Sequence, residues 1–460
     1  MRKILNWLGR IVLLLLLVAM FWYVYNAVPI ITGYSAKVAC SCLFISGRTL
    51  ADVKNTELNG LPFSLANVTI NARDSSITAN VWGMASTTAV YRSGLGCTLT
   101  HYTKKPRLEA QQIALATPLQ IDQDTIDWPM GNRHSIDTLN ANANLKMQQA
   151  ASYAFQKNKH EYTFGTRALL VVKAGKIVWE QYAAGFSART RMAGWSMTKS
   201  ITNAMVGILV KQGKLSISQA NLFAGWKNDS RAGITLNNLL NATSGLAWQE
   251  VYAGPSTATN MLFNSDNAAG LALLQPAEYK PGTHFKYSSG TTNLLQLLIR
   301  KKTASEYYRL PYQQLFYKTG MLSAVMEPDA SGTFVGSSFC FATARDWARF
   351  GLLYLHDGVV NGQRILPEGW VKYSATPSAA AKKGQYGAQF WTNAGEPGNP
   401  SNRTYPSVPT DCFYAEGYEG QQVWIIPSKK LVVARLSLQR GTSFNENRFL
   451  KEVIDALPAD

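Results

Sequence analysis

Positions 11–25 form an unbroken apolar run, and mainly apolar character continues to Ile31. As a helix, 11–31 is roughly 30 Å long at about 1.5 Å per residue, enough to cross a bilayer. Arg2, Lys3 and Arg10 precede the run and predict a cytoplasmic N-terminus, while Trp22, Tyr23 and Tyr25 suit an interfacial belt. The competing reading is a cleaved signal peptide. Cuts after Ala27, Ala36 or Ala39 would put Tyr25, Tyr34 or Lys37 at the −3 position, where a small residue is needed. The run is therefore read as a retained anchor. From 36 to 90 the pattern is short and β-rich, as at 65–70 and 77–82, with Asn, Gly and Ser punctuation. A polar, Asp-rich stretch at 121–145 predicts a connection. A hairpin follows, with strands at 168–172 and 177–182 around Lys173-Ala174-Gly175-Lys176. Helical patterns dominate from 191 to 371, then strands are expected at 421–426 and 431–438 and a closing helix at 446–457. Strands, a long helical block, then strands and a helix imply one α/β (α+β) sandwich whose sheet is built from both ends of the domain. The expected division is a membrane anchor at 1–35 (transmembrane helix about 11–31), a small β-rich region and connection at 36–145, and a catalytic-sized domain at 146–460.

Composition narrows the function classes. The 460 residues are 46% hydrophobic and 16% charged, which suits a large buried core rather than disorder. The formal charge of +17 is spread out, in short runs that include Lys104-Lys105, Lys301-Lys302 and Lys429-Lys430. Nucleic-acid binding would cluster these cations with aromatics, so a basic surface facing anionic lipid or wall polymer is expected instead. The five cysteines match no zinc or haem spacing. In an exported chain Cys97 would pair with Cys40 or Cys42, and Cys340 with Cys412; buried free thiols are the alternative. Five histidines form no His-x-x-x-His pair, so no metal and no cofactor is expected.

Chemistry concentrates in three places. Gly194-Trp195-Ser196-Met197-Thr198-Lys199 opens an amphipathic helix that ends near Lys211 and Gly213. Ser196 and Lys199, three apart, share one face of its first turn, so the amine can take the hydroxyl proton. To do so Lys199 must be largely neutral, its pKa falling from about 10.4 toward 7–8. The second place is the turn-rich loop 281–290, where Tyr287 can relay protons. The third is Ala415-Glu416-Gly417-Tyr418-Glu419-Gly420-Gln421, whose glycines let backbone pass close to a substrate and aim an N–H at a carbonyl oxygen. A literal Lys318-Thr319-Gly320 is read as structural, because it ends a helical run at 312–319 with Gly320 as cap.

Ser-x-x-Lys on a helix, Tyr-Ser-Ser on a loop and a Gly-rich turn before a late strand resemble, in that order, the serine β-lactamase and penicillin-binding-protein superfamily. Residues 195–200, 239–246 and 287–290 resemble its class C-related branch, above all the 6-aminohexanoate-oligomer hydrolases and related esterases. The resemblance covers roughly 150–457 and implies a transpeptidase-like fold, an antiparallel sheet flanked by helices. It implies Ser196 as acyl-forming nucleophile, Lys199 as base, Tyr287 as proton relay, and the N–H groups of Ser196 and Gln421 as the oxyanion hole, with Gly420 beside it. Ser289 stands where many relatives have Asn, which weakens one amide contact to substrate. Tyr418 stands where Lys or His usually begins the third motif, so a substrate carboxylate would meet Glu419 or a neutral phenol. The expected function is a membrane-anchored serine amidase or esterase on the periplasmic or extracellular side, acting on a small-molecule or peptide-like substrate. Its alternative is a catalytically weak or inactive protein of the same fold that binds or senses cell wall.

Overall fold

The apolar start of the chain folds as one helix, α1 (Arg2–Phe44), in the computed structural model, which describes residues 2–458 except 102, 104–107, 109, 110, 112–121, 135–138, 159 and 160. Among the described residues it is the one helix long and apolar enough to cross a membrane. The helix runs on past residue 31, where the expected membrane span ends. Side chains of α1 are exposed through Tyr25 and largely buried from Val28 onward, so position 36, expected to begin the β-rich region, lies mid-helix. Thr32, Gly33, Ser35, Ala36, Ala39 and Ser41 break the lipid-facing pattern, but their small side chains suit a helix enclosed by protein. Lys37 is buried there against Glu327. Its ammonium also donates to Cys97 O at 2.8 Å, and Glu327 accepts from Ser41 Oγ and the Cys97 N–H. A buried charge is tolerated only with partners of this kind.

β1 (Asn67–Asn71), β2 (Ser76–Val81), β3 (Met84–Arg92) and β4 (Gly96–Thr100) form an antiparallel meander. Its apolar face, including Val68, Ile77, Ala79 and Ala89, shares one core with the buried half of α1. A disulfide between Cys40 and Cys97 joins helix to meander. The Cys340–Cys412 pairing is not formed. Both thiols are buried and free, because Cys340 packs in the core on one side of the main sheet and Cys412 in the core on the other. Of the connection expected at 121–145, residues 121 and 135–138 lie outside the described residues, as does the Lys104-Lys105 pair. Its end is helical, α2 (Ala141–Ala154), capped by the Asn140 side chain accepting from the Ala143 N–H.

The main sheet has six antiparallel strands. β5 (Thr166–Lys173) and β6 (Lys176–Tyr182) form the hairpin; β7 (Trp391–Thr392), β8 (Phe413–Gly417), β9 (Gln421–Ile426) and β10 (Leu431–Ser437) complete the order β7-β8-β9-β10-β5-β6. The first strands thus sit beside the last one, as a sheet made from both ends requires. Ala168, Leu170 and Val172 face the helical block, while Leu169 and Val171 face α2 and the closing helix α6 (Glu446–Ala456). Burial on both faces explains why β10 is apolar almost without alternation. The helical block holds α3 (Thr198–Lys211), α4 (Ser289–Thr303) and α5 (Ala344–Leu355). Lys318-Thr319-Gly320 ends a short helix, Gly320 taking φ 74° as its cap.

Candidate active site

Ser196 sits in a 3-10 turn, Trp195–Met197, that leads into α3. Trp195 has φ 46°, a rare conformation for a bulky side chain. Its ring is held by Tyr34, Phe339 and Tyr418 at centroid distances of 6.2, 6.1 and 5.7 Å. Several polar residues of α3 are buried with partners: Ser200 Oγ donates to Gln389 O at 2.7 Å, and Thr202 Oγ1 to Gly336 O at 3.0 Å. The helix is therefore enclosed on the face expected to meet solvent, and Lys199 is buried rather than exposed.

Lys199 Nζ is 2.9 Å from Ser196 Oγ, 2.9 Å from Ser289 Oγ and 3.0 Å from Ser337 O. Burial pushes its pKa down to about 8, and the nearby Glu250 carboxylate opposes that fall. A neutral amine keeps two N–H groups for Ser289 and Ser337 and turns its lone pair to the Ser196 hydroxyl. Tyr287 is half-buried and lines the same cleft as Ser196, with its ring 4.8 Å from Lys199 Nζ. Burial raises its phenol well above the ordinary range, so it stays protonated at neutral pH. The 239–246 segment braces the Tyr287 loop through Lys286 N–H to Ala242 O (2.9 Å) and Gly282 N–H to Thr243 O (2.8 Å).

Two residues expected to contact substrate have side chains turned away from the cleft. Ser289 is fully buried and lies between Lys199 and the Glu250 carboxylate, away from the cleft. Gln421 does not line the cleft either. Its side-chain amide donates to the carbonyls of Tyr418 and Ser437, and its oxygen accepts from the Ser437 N–H. The reason is strand alternation: Gln421 closes the hairpin opposite Gly417, and Gln422 takes the cleft face. Gly417 lies against the Ser196 turn, where a side chain would collide with Gly194 O at 2.2 Å and approach Ser196 N at 3.1 Å. Gly417 thus lies against Ser196, and the following N–H is that of Tyr418. Gly420 lines the cleft with φ 79°, and a side chain there would strike Ser437 Oγ. Tyr418 stands half-exposed on the rim. Glu419 is buried and paired with Arg440, which also donates to the carbonyls of Thr56, Glu57 and Asn59. The question of which way Glu419 points is answered by that pair: its charge is already matched.

The cleft in front of Ser196 has a volume of about 380 Å³. Among its described lining residues none is Lys or Arg, while Glu416, Glu419 and Glu446 are present. Burial, then repulsion from Glu446, pushes Glu416 up to about 7. Tyr252, Trp391 and Glu416 line the cleft with no signal in the sequence, and Glu250 orders Ser289 from behind. No group of acid, His and Cys side chains among the described residues could hold a metal ion.

The profile of the Beta-lactamase family matches residues 152–455. The 6-aminohexanoate-dimer hydrolase of Paenarthrobacter ureafaciens is 25% identical over 299 residues, 59% of this chain and 72% of that protein. Two solved structures share the fold. A family VIII carboxylesterase aligns with TM-score 0.53 and 15% identity over 70% of this chain and 99% of its own. A penicillin-binding-protein homologue from Caulobacter crescentus aligns with TM-score 0.52 and 14% identity over 70% and 99%.

Proposed function

The chain belongs to the beta-lactamase family of serine hydrolases, and from that premise we propose a membrane-anchored amidase or esterase that works through an acyl-enzyme on Ser196. The observation that carries this reading is a buried lysine with pKa about 8, its amine 2.9 Å from Ser196 Oγ, facing an open cleft. In the first half-reaction Ser196 Oγ attacks the substrate carbonyl carbon and its proton passes to Lys199. The oxyanion is received by the N–H groups of Ser196 and Tyr418. Tyr287, a neutral phenol beside Ser196, relays the proton to the departing alcohol or amine, and the C–O or C–N bond breaks. Water then attacks the acyl-enzyme by the reverse proton path, releasing the acid and restoring Ser196.

Substrate choice follows from the missing cation. A β-lactam or wall peptide carries a carboxylate beside the scissile bond, and this cleft offers it the acids Glu416 and Glu446, with Glu419 already paired to Arg440, and no Lys or Arg among its described lining residues. One unpaired unit charge about 4 Å away is worth up to ~4 kcal/mol at an effective dielectric near 20, so even half of that exceeds a tenfold loss. Nitrophenyl esters or a linear aminohexanoate dimer are expected to be turned over with kcat/KM at least about a hundredfold above a chromogenic cephalosporin. A cephalosporin that proved the best of the three would overturn the substrate reading and leave the Ser196 mechanism standing.

Retention of the anchor is supported by what the helix does. The candidate cleavage positions Ala27, Ala36 and Ala39 lie inside α1, two of them fully buried, and a cut after Ala36 or Ala39 removes Ile30 and Tyr34 from the cleft wall. The mature chain is expected to keep its N-terminus, to fractionate with membrane, and to be digested only from the non-cytoplasmic side. Recovery of an active soluble form beginning after residue 36 would refute this.

A further inference from the structure

The wall of the cleft includes the helix that leads to the membrane. Ile30 and Tyr34 of α1 line the cleft together with Phe63, Leu262 and Phe263. Tyr34 stacks on Phe63 at 4.0 Å, meets Phe263 edge-on at 5.2 Å, and lies parallel to Trp195, the neighbour of Ser196, at 6.2 Å. The same helix is fully exposed and apolar over Ile4–Tyr25, broken by few polar positions, a stretch of about 33 Å at 1.5 Å per residue. Ile30 stands five residues past Tyr25, so the cleft wall begins about 8 Å along the axis from the last exposed turn.

Apolar side chains from three other segments gather where α1 enters the body. Val81 packs on Val28 and Ile31, with Phe63 and Ala66 against them. A side chain at Gly254 would meet the Tyr23 hydroxyl at 3.1 Å, which places the 251–254 loop beside the exposed turns of α1. Beyond these anchor points Leu61, Trp82, Met84 and Val251 are 79%, 72%, 50% and 52% exposed. Exposed large apolar groups collected around the base of a lipid-length helix have one fitting occupant, the bilayer surface.

We propose that the substrate is a membrane-resident amphiphile, an ester or amide whose apolar chain lies against Ile30 and Tyr34 while its scissile carbonyl meets Ser196. This rests on the serine-hydrolase reading above and adds to it the substrate class and its source. The chain slides from the bilayer along the apolar side of the cleft, and the acids Glu416 and Glu446 on the other side select a neutral or cationic head. Each methylene moved out of water adds roughly a factor of three to four in binding, so chain length is the direct readout.

The test uses the full-length protein in detergent, with nitrophenyl alkanoates of two to eight carbons and, in parallel, acetate esters of alcohols of the same lengths. At least a tenfold rise in kcat/KM from two to eight carbons is expected in one of the two series, and Ile30→Asn should cut that ratio at least fivefold. In phosphatidylcholine vesicles, Trp82→Asp with Met84→Asp should slow hydrolysis of a vesicle-borne octanoyl ester at least fivefold relative to the same protein's rate on the soluble acetate. Flat chain-length profiles in both series, or an unchanged vesicle ratio in the collar variant, overturn the inference. Fluorophosphonate labelling of Ser196 in the same samples separates the two readings. Labelling with flat profiles removes only the amphiphile, whereas absent labelling removes the serine mechanism and this inference with it.

Discussion

Ser196→Ala is expected to lose fluorophosphonate labelling completely and to lower kcat/KM for a nitrophenyl ester by at least about a thousandfold. The hydroxyl is the one oxygen placed to receive its proton partner, Lys199, at 2.9 Å while facing the cleft. The variant should fold normally, with a thermal midpoint within a few degrees of the parent. Ser196 does not cap α3, whose first turn has no side-chain cap, and Lys199 keeps Ser289 and Ser337 as partners. Mass spectrometry of labelled peptides decides the matter; a label that survives in the variant moves the nucleophile elsewhere.

Activity should rise with pH through about 8, the point at which Lys199 loses its proton. Below that pH the amine is an ammonium and cannot accept from Ser196. Lys199→Met is expected to cost about a hundredfold to ten-thousandfold in kcat, the usual worth of a positioned base. Glu250→Gln removes the charge that opposes the fall, so the midpoint of the acid limb should move below 8. Stability changes in the same direction with pH. The folded pKa lies below the unfolded value near 10.5, so between about 8 and 10.5 the unfolded chain binds more protons and stability rises with pH; below 8 the folded state carries the full penalty. At 1.36 kcal/mol per pH unit this amounts to roughly 3 kcal/mol. Lys199→Met should therefore raise the thermal midpoint at pH 7 while abolishing most activity. An acid limb unmoved in Glu250→Gln, or a midpoint lowered in Lys199→Met, would contradict this account.

Much of the fold is legible in the chain because its signals are local. The apolar run of α1, the hairpin around Ala174-Gly175, the twin strands β9 and β10 and the Gly320 cap each depend on neighbours within a few residues. The order of Ser-x-x-Lys, Tyr-Ser-Ser and the late glycine turn is likewise written in linear form. Local signals fail where burial is supplied by a distant segment. α1 does not stop at residue 31, because the meander and the 257–263 helix enclose its small residues. Cys340 and Cys412 stay apart because the main sheet stands between them.

The same division holds at the site. Residue types and spacing by themselves singled out a candidate nucleophile, a candidate base three positions on and a candidate tyrosine on a loop, because a helix turn and a motif order are properties of the chain alone. Only the tertiary structure placed Gly417 against the turn at 195–197, since that depends on how the hairpin turn at 418–420 docks there. It alone brought in Glu250 behind Ser289, matched Glu419 to Arg440, and set Ile30 and Tyr34 of the N-terminal helix into the cleft wall. These contacts join residues far apart in sequence, and no periodicity encodes them. They form because folding excludes water from Lys199 and its surroundings, and each buried polar group must then find its partner wherever the chain brings one within reach.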